Sequence, residues 1–229
     1  MMPVRESRKM KWMLGLAVGS VCALAGAADG GTAYDYSGAY GWEDGGTILG
    51  SYGNLGYAEN VADPMGGSGN VLELHEDPLG GTPQAYVAWI TGLTDGDIVD
   101  VSFMGLGHND LGMSSTRIWG HYTTAGGEIT DYDGSASGNS TYSGSDWTYL
   151  AHSWTFDGDG GNHGGLVVEA RVYTTSGDDG STYVDDISVG VFDMDNSGGI
   201  VIHFAAVPAP GALALLGLAG LAGRRRRRG

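Results

Sequence analysis

The sequence predicts an all-β protein, an antiparallel β-sandwich of the jelly-roll kind, on three observations. Apolar runs of about four to eight residues recur between clusters of Gly, Asp, Asn and Ser. No stretch of the central region offers two turns of helical periodicity, and the 43 glycines and 6 prolines follow no collagen-like period. Six Trp, 12 Tyr and 4 Phe supply the bulk for a packed interior, so the 229 residues amount to one domain with a real core.

In chain order, the glycine-rich stretch 29–53 holds the opening strand with long loops. Strands follow over 71–75, 84–91, 98–104, 116–123, 148–156, 166–174 and 182–189. The links Thr94-Asp95-Gly96-Asp97 and Ser176-Gly177-Asp178-Asp179-Gly180 carry the residues of tight hairpin turns. About seven or eight strands at this spacing favour two packed antiparallel sheets over an open meander. No internal repeat is visible.

Charge sorts by region. Nine of the 11 basic residues lie near one end or the other, and only Arg117 and Arg171 lie between. All but one of the 27 acidic residues fall between Asp29 and Asp195, in a body without lysine. Such a surface repels phosphate backbones and anionic lipid, which excludes nucleic acid as a partner. Its self-repulsion must be screened or bridged, and Ca²⁺ is the natural bridging ion.

The two ends read as addresses. Residues 1–28 form a signal helix with a basic start (Arg5, Arg8, Lys9, Lys11), an apolar stretch 12–25, and the small residues Ala27 and Ala28 where signal peptidase cuts. The alternative is an uncleaved N-terminal anchor. Cys22, the single cysteine, lies inside this leader, so the mature chain carries no disulfide. At the other end Val207-Pro208-Ala209-Pro210 precedes an apolar stretch 211–223 and the run Arg224 to Arg228. A helix of about thirteen residues reaches about 20 Å, short of a hydrocarbon core near 30 Å. The prolines break the helix outside the membrane and the arginines hold the C-terminus on the cytoplasmic side.

This tail resembles the PEP-CTERM sorting signal of Gram-negative bacteria, with Ala209 where that family usually carries Glu. The resemblance implies an exosortase-type processing enzyme, a short transmembrane helix, and a protein released to the cell envelope, surface or extracellular space. The alternative is a plain C-terminal anchor. Residues 29–192 are then the sandwich domain, 193–206 a linker and 207–229 the sorting signal, with membrane contact through the terminal segments only.

Five pieces in order resemble the jelly-roll carbohydrate-binding modules of the galactose-binding-like class. They are Gly41-Trp42-Glu43-Asp44-Gly45, Ser68-Gly69-Asn70-Val71-Leu72-Glu73-Leu74, Gly92-Leu93-Thr94-Asp95-Gly96-Asp97 running into Val99-Asp100-Val101-Ser102-Phe103, Asp146-Trp147-Thr148 and Tyr183-Val184-Asp185-Asp186-Ile187-Ser188-Val189. In those modules an early acidic residue and the first Asp of the last strand hold a structural calcium. The resemblance carries this to Glu43 and Asp185, with Asp44 as substitute. Strand alternation places Tyr183, Asp185, Ile187 and Val189 on one face, where a carboxylate must be coordinated or accept backbone N–H bonds. Trp147 is expected in the core.

Other acidic loops read as turns. Asp193-Met194-Asp195-Asn196-Ser197-Gly198 begins like a calcium loop, but Phe204 stands where a bidentate Glu is needed. Asp157-Gly158-Asp159-Gly160-Gly161-Asn162 reads as a polar loop.

Sugar binding needs aromatic faces beside polar groups on one exposed sheet surface. Arg117, Trp119 and His121 share one face of their strand, and Glu169, Arg171 and Tyr173 one face of theirs. Together they form a shallow candidate cleft for extracellular polysaccharide, unless Trp119 and Tyr173 fill the sandwich instead. The six histidines, at 75, 108, 121, 152, 163 and 203, show no ligand spacing, and no nucleophile elbow, P-loop or zinc-protease motif occurs. The expected function is therefore non-enzymatic, structural or adhesive with polysaccharide binding. The alternatives are a small extracellular glycan-active enzyme and an inert surface-coat subunit.

Overall fold

A computed structural model describes residues 33–107, 112–177 and 180–205. The signal segment with Ala27 and Ala28, and the tail with Val207, Pro208, Ala209 and Pro210, lie outside the described residues.

The chain is all-β, and two antiparallel sheets pack face to face. The strands are β1 (Tyr36–Tyr40), β2 (Gly50–Tyr52), β3 (Leu55–Ala62), β4 (Asn70–Glu76), β5 (Gln84–Thr91), β6 (Ile98–Gly107), β7 (Gly112–Thr124), β8 (Tyr132–Gly138), β9 (Thr148–Thr155), β10 (His163–Gly177), β11 (Ser181–Phe192) and β12 (Val201–Phe204). The first sheet runs β3, β4, β11, β6, β9, with β1 also on β11. The second runs β12, β5, β10, β7, β8, with β2 also on β5. Among the described residues no helix is long and apolar enough to cross a membrane.

Each long strand alternates because one face is buried against the other sheet and the other is not. Val99, Val101 and Phe103 of β6 enter the core, as do Leu150 and Trp154 of β9 and Leu166, Val168, Ala170 and Val172 of β10. Trp42, Leu72, Leu74, Ile118 and Ile187 complete its centre. Trp147, expected there, is half-buried and stands outside the core.

Three further expectations are corrected. The turn-like links 94–97 and 176–180 do not close hairpins, because β5 and β6, and likewise β10 and β11, belong to different sheets. They are corners, and turn residues suit a corner as well as a hairpin. The segment 193–206 is more than a linker: β12 pairs with β5 from Val201 opposite Thr91 to Phe204 opposite Ala88. Gly92, at φ +75°, lets this return pass, since a Cβ there would stand 2.3 Å from the Gly199 carbonyl oxygen.

Alternation also fails within β11. Asp186 and Ile187 together face Phe103, and the register against β6 shifts between Asp185 and Ser188, with Asp186 at φ +49°. This is a β-bulge. It brings Val184 and Ile187 both into the core, so Tyr183 and Asp185 do not share the face of Ile187 and Val189.

Candidate functional site

The six residues expected to form a cleft come together on the outer face of the second sheet. Register produces the arrangement. One row across the strands reads Tyr52, Gln84, Arg171, Arg117, and the next reads Gly50, Tyr86, Glu169, Trp119, Gly138. A third row brings Trp89, Val167 and His121 level with Ser135.

The row positions sit at different depths. Arg117, Trp119, Arg171 and Tyr173 are half-buried on the outer face, so neither aromatic ring fills the sandwich. His121 and Glu169, expected to line the cleft, are fully buried beneath it. Tyr86 and Tyr132 pack their rings against the His121 imidazole at 4.9 and 5.5 Å between centroids and shield it.

The buried carboxylate is saturated. Glu169 Oε1 accepts from His121 Nδ1 at 2.5 Å, and Oε2 accepts from Arg171 Nε at 2.6 Å. With its amide turned so that both ends find partners, Gln84 donates to Glu169 Oε1 at 3.2 Å and accepts from Arg171 at 3.3 Å. A buried carboxylate persists only when paired and hydrogen-bonded in this way. Burial, with Glu169 beside it, pushes the Tyr86 phenol up to about 12, so that ring stays protonated.

Above this layer the two arginines meet aromatic faces. Arg117 lies 4.5 Å from the centre of the Trp119 ring, 5.0 Å from Tyr142 and 4.7 Å from Tyr173, and its Nε donates to the Tyr173 hydroxyl at 2.8 Å. Trp119 Nε1 donates to Ser135 Oγ at 2.9 Å. Rings fixed by stacked guanidinium groups are rigid platforms, and each such contact contributes about 0.5–2 kcal/mol. Tyr52, Tyr132 and Tyr142 are exposed at the rim, 67%, 61% and 45% respectively. Sequence alone missed Tyr52, Gln84, Tyr86, Tyr132 and Tyr142. Their strands β2 and β8 are glycine- and serine-rich, and only cross-strand register reveals what they stand beside.

The residues expected to hold calcium divide. Asp185 lies at the bulge beside Glu43, and its Oδ1 is buried without a hydrogen-bond partner. Desolvation, reinforced by Asp186 and Glu43, raises its pKa to about 6, against the opposing backbone hydrogen bonds from Asp186 and Trp42. An orphaned buried carboxylate oxygen next to a second carboxylate fits a hard cation. Asp44 is exposed and makes no hydrogen bond or ion pair among the described residues.

A second acidic group was read from sequence as a turn. Asp193 does close one, accepting from Ser197 N at 3.0 Å and Gly198 N at 2.8 Å. The fold then adds Asp97, so that Asp97, Asp193 and Asp195 each offer a carboxylate oxygen within 4.8 Å of the others. Such a group could hold a metal ion. Hydrogen bonds from Ser197 hold the Asp195 carboxyl below its usual range. Asp97 comes from the start of β6, about a hundred positions upstream, which no local motif announces.

No family model matches the chain and no curated protein matches it. Several solved structures do. The xylan-binding domain CBM22-1 from Paenibacillus barcinonensis Xyn10C is 12% identical with a TM-score of 0.45, covering 68% of this chain and 93% of that one. The CBM22-2 domain of the same protein is 17% identical with a TM-score of 0.45, covering 66% and 97%. A family 11 carbohydrate-binding module from Clostridium thermocellum, solved with a mixed-linked tetrasaccharide, is 17% identical with a TM-score of 0.38, covering 68% and 97%.

Proposed function

We propose that this chain is an exported, non-enzymatic polysaccharide-binding protein with a structural or adhesive role at the cell surface or in the extracellular matrix. The observation that carries the reading is the outer face of the second sheet. There Trp119, Tyr142 and Tyr173 are gathered around Arg117, with the Glu169, His121 and Arg171 network fixed beneath them. Aromatic faces stack on pyranose rings while guanidinium and phenol groups bond their hydroxyls, and a site that is already rigid loses little entropy on binding.

Export and sorting are supported by the terminal motifs. Signal peptidase would cut after Ala27 or Ala28, and an exosortase-type enzyme would act at Val207 to Pro210 in a Gram-negative envelope. Calcium would be held by Glu43 and Asp185, bridging carboxylates that otherwise repel.

The test is a pull-down on insoluble and soluble polysaccharides, with wild type and Trp119→Ala, paired with a reducing-sugar assay. Retention of wild type, loss in the variant and no new reducing ends is the expected result. New ends would make the protein a glycan-active enzyme. Self-association with neither retention nor cleavage would make it a coat subunit.

A further inference from the structure

The opposite side of the sandwich has a groove of its own. Over β6, β9 and β11 lies a trough of about 630 Å³ whose walls include Tyr34 and Tyr149 and whose floor includes Asp100. Cross-strand register explains it. The outward positions of four adjacent strands are short in two successive rows, Ser37, Gly190, Asp100, Ser153 and then Ala39, Ser188, Ser102, Ala151. With neighbouring strands about 4.8 Å apart, these rows make a floor about 15 Å across.

Tyr34 closes one end. Its ring lies flat enough on Gly190 that a Cβ there would stand 2.6 Å from it, and it packs on Phe192 at 4.6 Å. Its hydroxyl donates to Asp100 Oδ2 at 3.1 Å, and no other hydrogen bond or ion pair of Asp100 occurs among the described residues. Tyr149, on the sheet edge, is 67% exposed.

Charge selects the occupant. Both arginines of the body lie on the other sheet, and burial lowers the His152 pKa, which keeps that ring uncharged near neutral pH. The trough thus presents one carboxylate, several hydroxyls and two tyrosine faces, with no opposing cation. That set complements an ammonium group on a pyranose ring: the carboxylate pairs with the amine while a tyrosine face takes the ring and the positive charge.

We propose that this trough is a second saccharide-binding groove, selective for a glucosamine-type polymer with free amino groups. The site is independent of the arginine-bearing face, so one molecule would bridge two chains. The test measures binding of a β-1,4-linked glucosamine hexamer and of its N-acetylated counterpart by calorimetry. Wild type, Tyr149→Ala, Asp100→Asn and Glu59→Gln are compared, the last removing an exposed carboxylate from an outlying strand of the same sheet. Their melting temperatures are recorded alongside.

The amine hexamer is expected to bind at least tenfold more tightly than the acetylated one. Tyr149→Ala and Asp100→Asn are each expected to weaken it at least fivefold without moving the melt, and Glu59→Gln less than twofold. Equal binding of the two hexamers overturns the proposal. So does an equal loss in Glu59→Gln, which would mark diffuse electrostatics, unchanged binding in both trough variants, or no binding at all.

Discussion

Arg117 and Arg171 hold their guanidinium carbons at the same distance, 4.5 Å, from the centre of the Trp119 ring. In a body otherwise almost purely acidic, the only two cations are spent on orienting one indole. Arg171 is anchored from below by Glu169, whereas Arg117 has no carboxylate within salt-bridge distance among the described residues and is held by rings instead.

Trp119→Ala should therefore remove the central platform and leave the fold intact. Loss of a central aromatic contact costs about 2 kcal/mol, or about thirtyfold in affinity. Affinity electrophoresis in polysaccharide gels should show that loss, with the melting temperature within about 2 °C of wild type. Trp154→Ala, by contrast, empties a buried position and should cost about 3–5 kcal/mol of stability.

Glu169→Gln tests the layer beneath. The variant leaves Arg171 without its carboxylate in a half-buried setting and should cost about 3 kcal/mol, a drop of roughly 6–12 °C in melting temperature for a domain of this size. Adding Arg171→Gln should recover part of the loss, since the cost lies in the uncompensated charge. Two additive losses in a thermal double-mutant cycle would show that the pair is not coupled.

The seven expected strands all occur, because each is a run of apolar residues long enough to bury one face. Missing from the sequence reading were β3 and β8, whose half-exposed patterns are rich in Gly, Ala and Ser, and β12, which is four residues long and follows an acidic turn. Arg117, Trp119, Arg171 and Tyr173 were legible as a face because strand alternation is local. The depth of His121 and Glu169 was not, since it depends on Tyr86 and Tyr132 from other strands. The bulge at Asp186 was equally invisible, as nothing about an Asp-Asp pair announces an extra residue in one strand.

Asp185 gives a pH dependence of definite sign. Its folded pKa, about 6, lies above the model-peptide value of 3.8, so the folded state holds the proton more tightly. Its stabilising contribution is therefore complete below about pH 4 and is lost as pH rises through 6. Allowing for solvent screening at a half-exposed site, the loss is about 1–2 kcal/mol. In chelator, Asp185→Asn should gain on wild type in melts run from pH 4 to 7. A calcium ion reverses the sign by favouring the ionised form, so adding Ca²⁺ at pH 7 should raise the wild-type melt and leave Asp185→Asn behind. Any calcium response that survives in Asp185→Asn but vanishes in Asp185→Asn with Asp195→Asn belongs to the group formed by Asp97, Asp193 and Asp195. A wild-type melt indifferent to chelation would remove both sites.

The return of the chain to β5 bears on where processing can occur. Phe204 packs on Tyr40 with ring centroids 4.7 Å apart, and Ala205 N bonds the Val87 carbonyl oxygen at 3.0 Å. Ending the chain at residue 192 strips β12 from the edge of β5 and exposes apolar surface, so that product should melt several degrees lower and aggregate through the bared edge. Ending it at residue 206 keeps every described contact of β12. Cleavage at the Val207-Pro208-Ala209-Pro210 motif would thus release a sandwich with its sheet complete. Mass spectrometry of protein from the native host should find chains ending near Pro208 and none ending inside 193–204; intact Arg224 to Arg228 on all chains would defeat the sorting proposal.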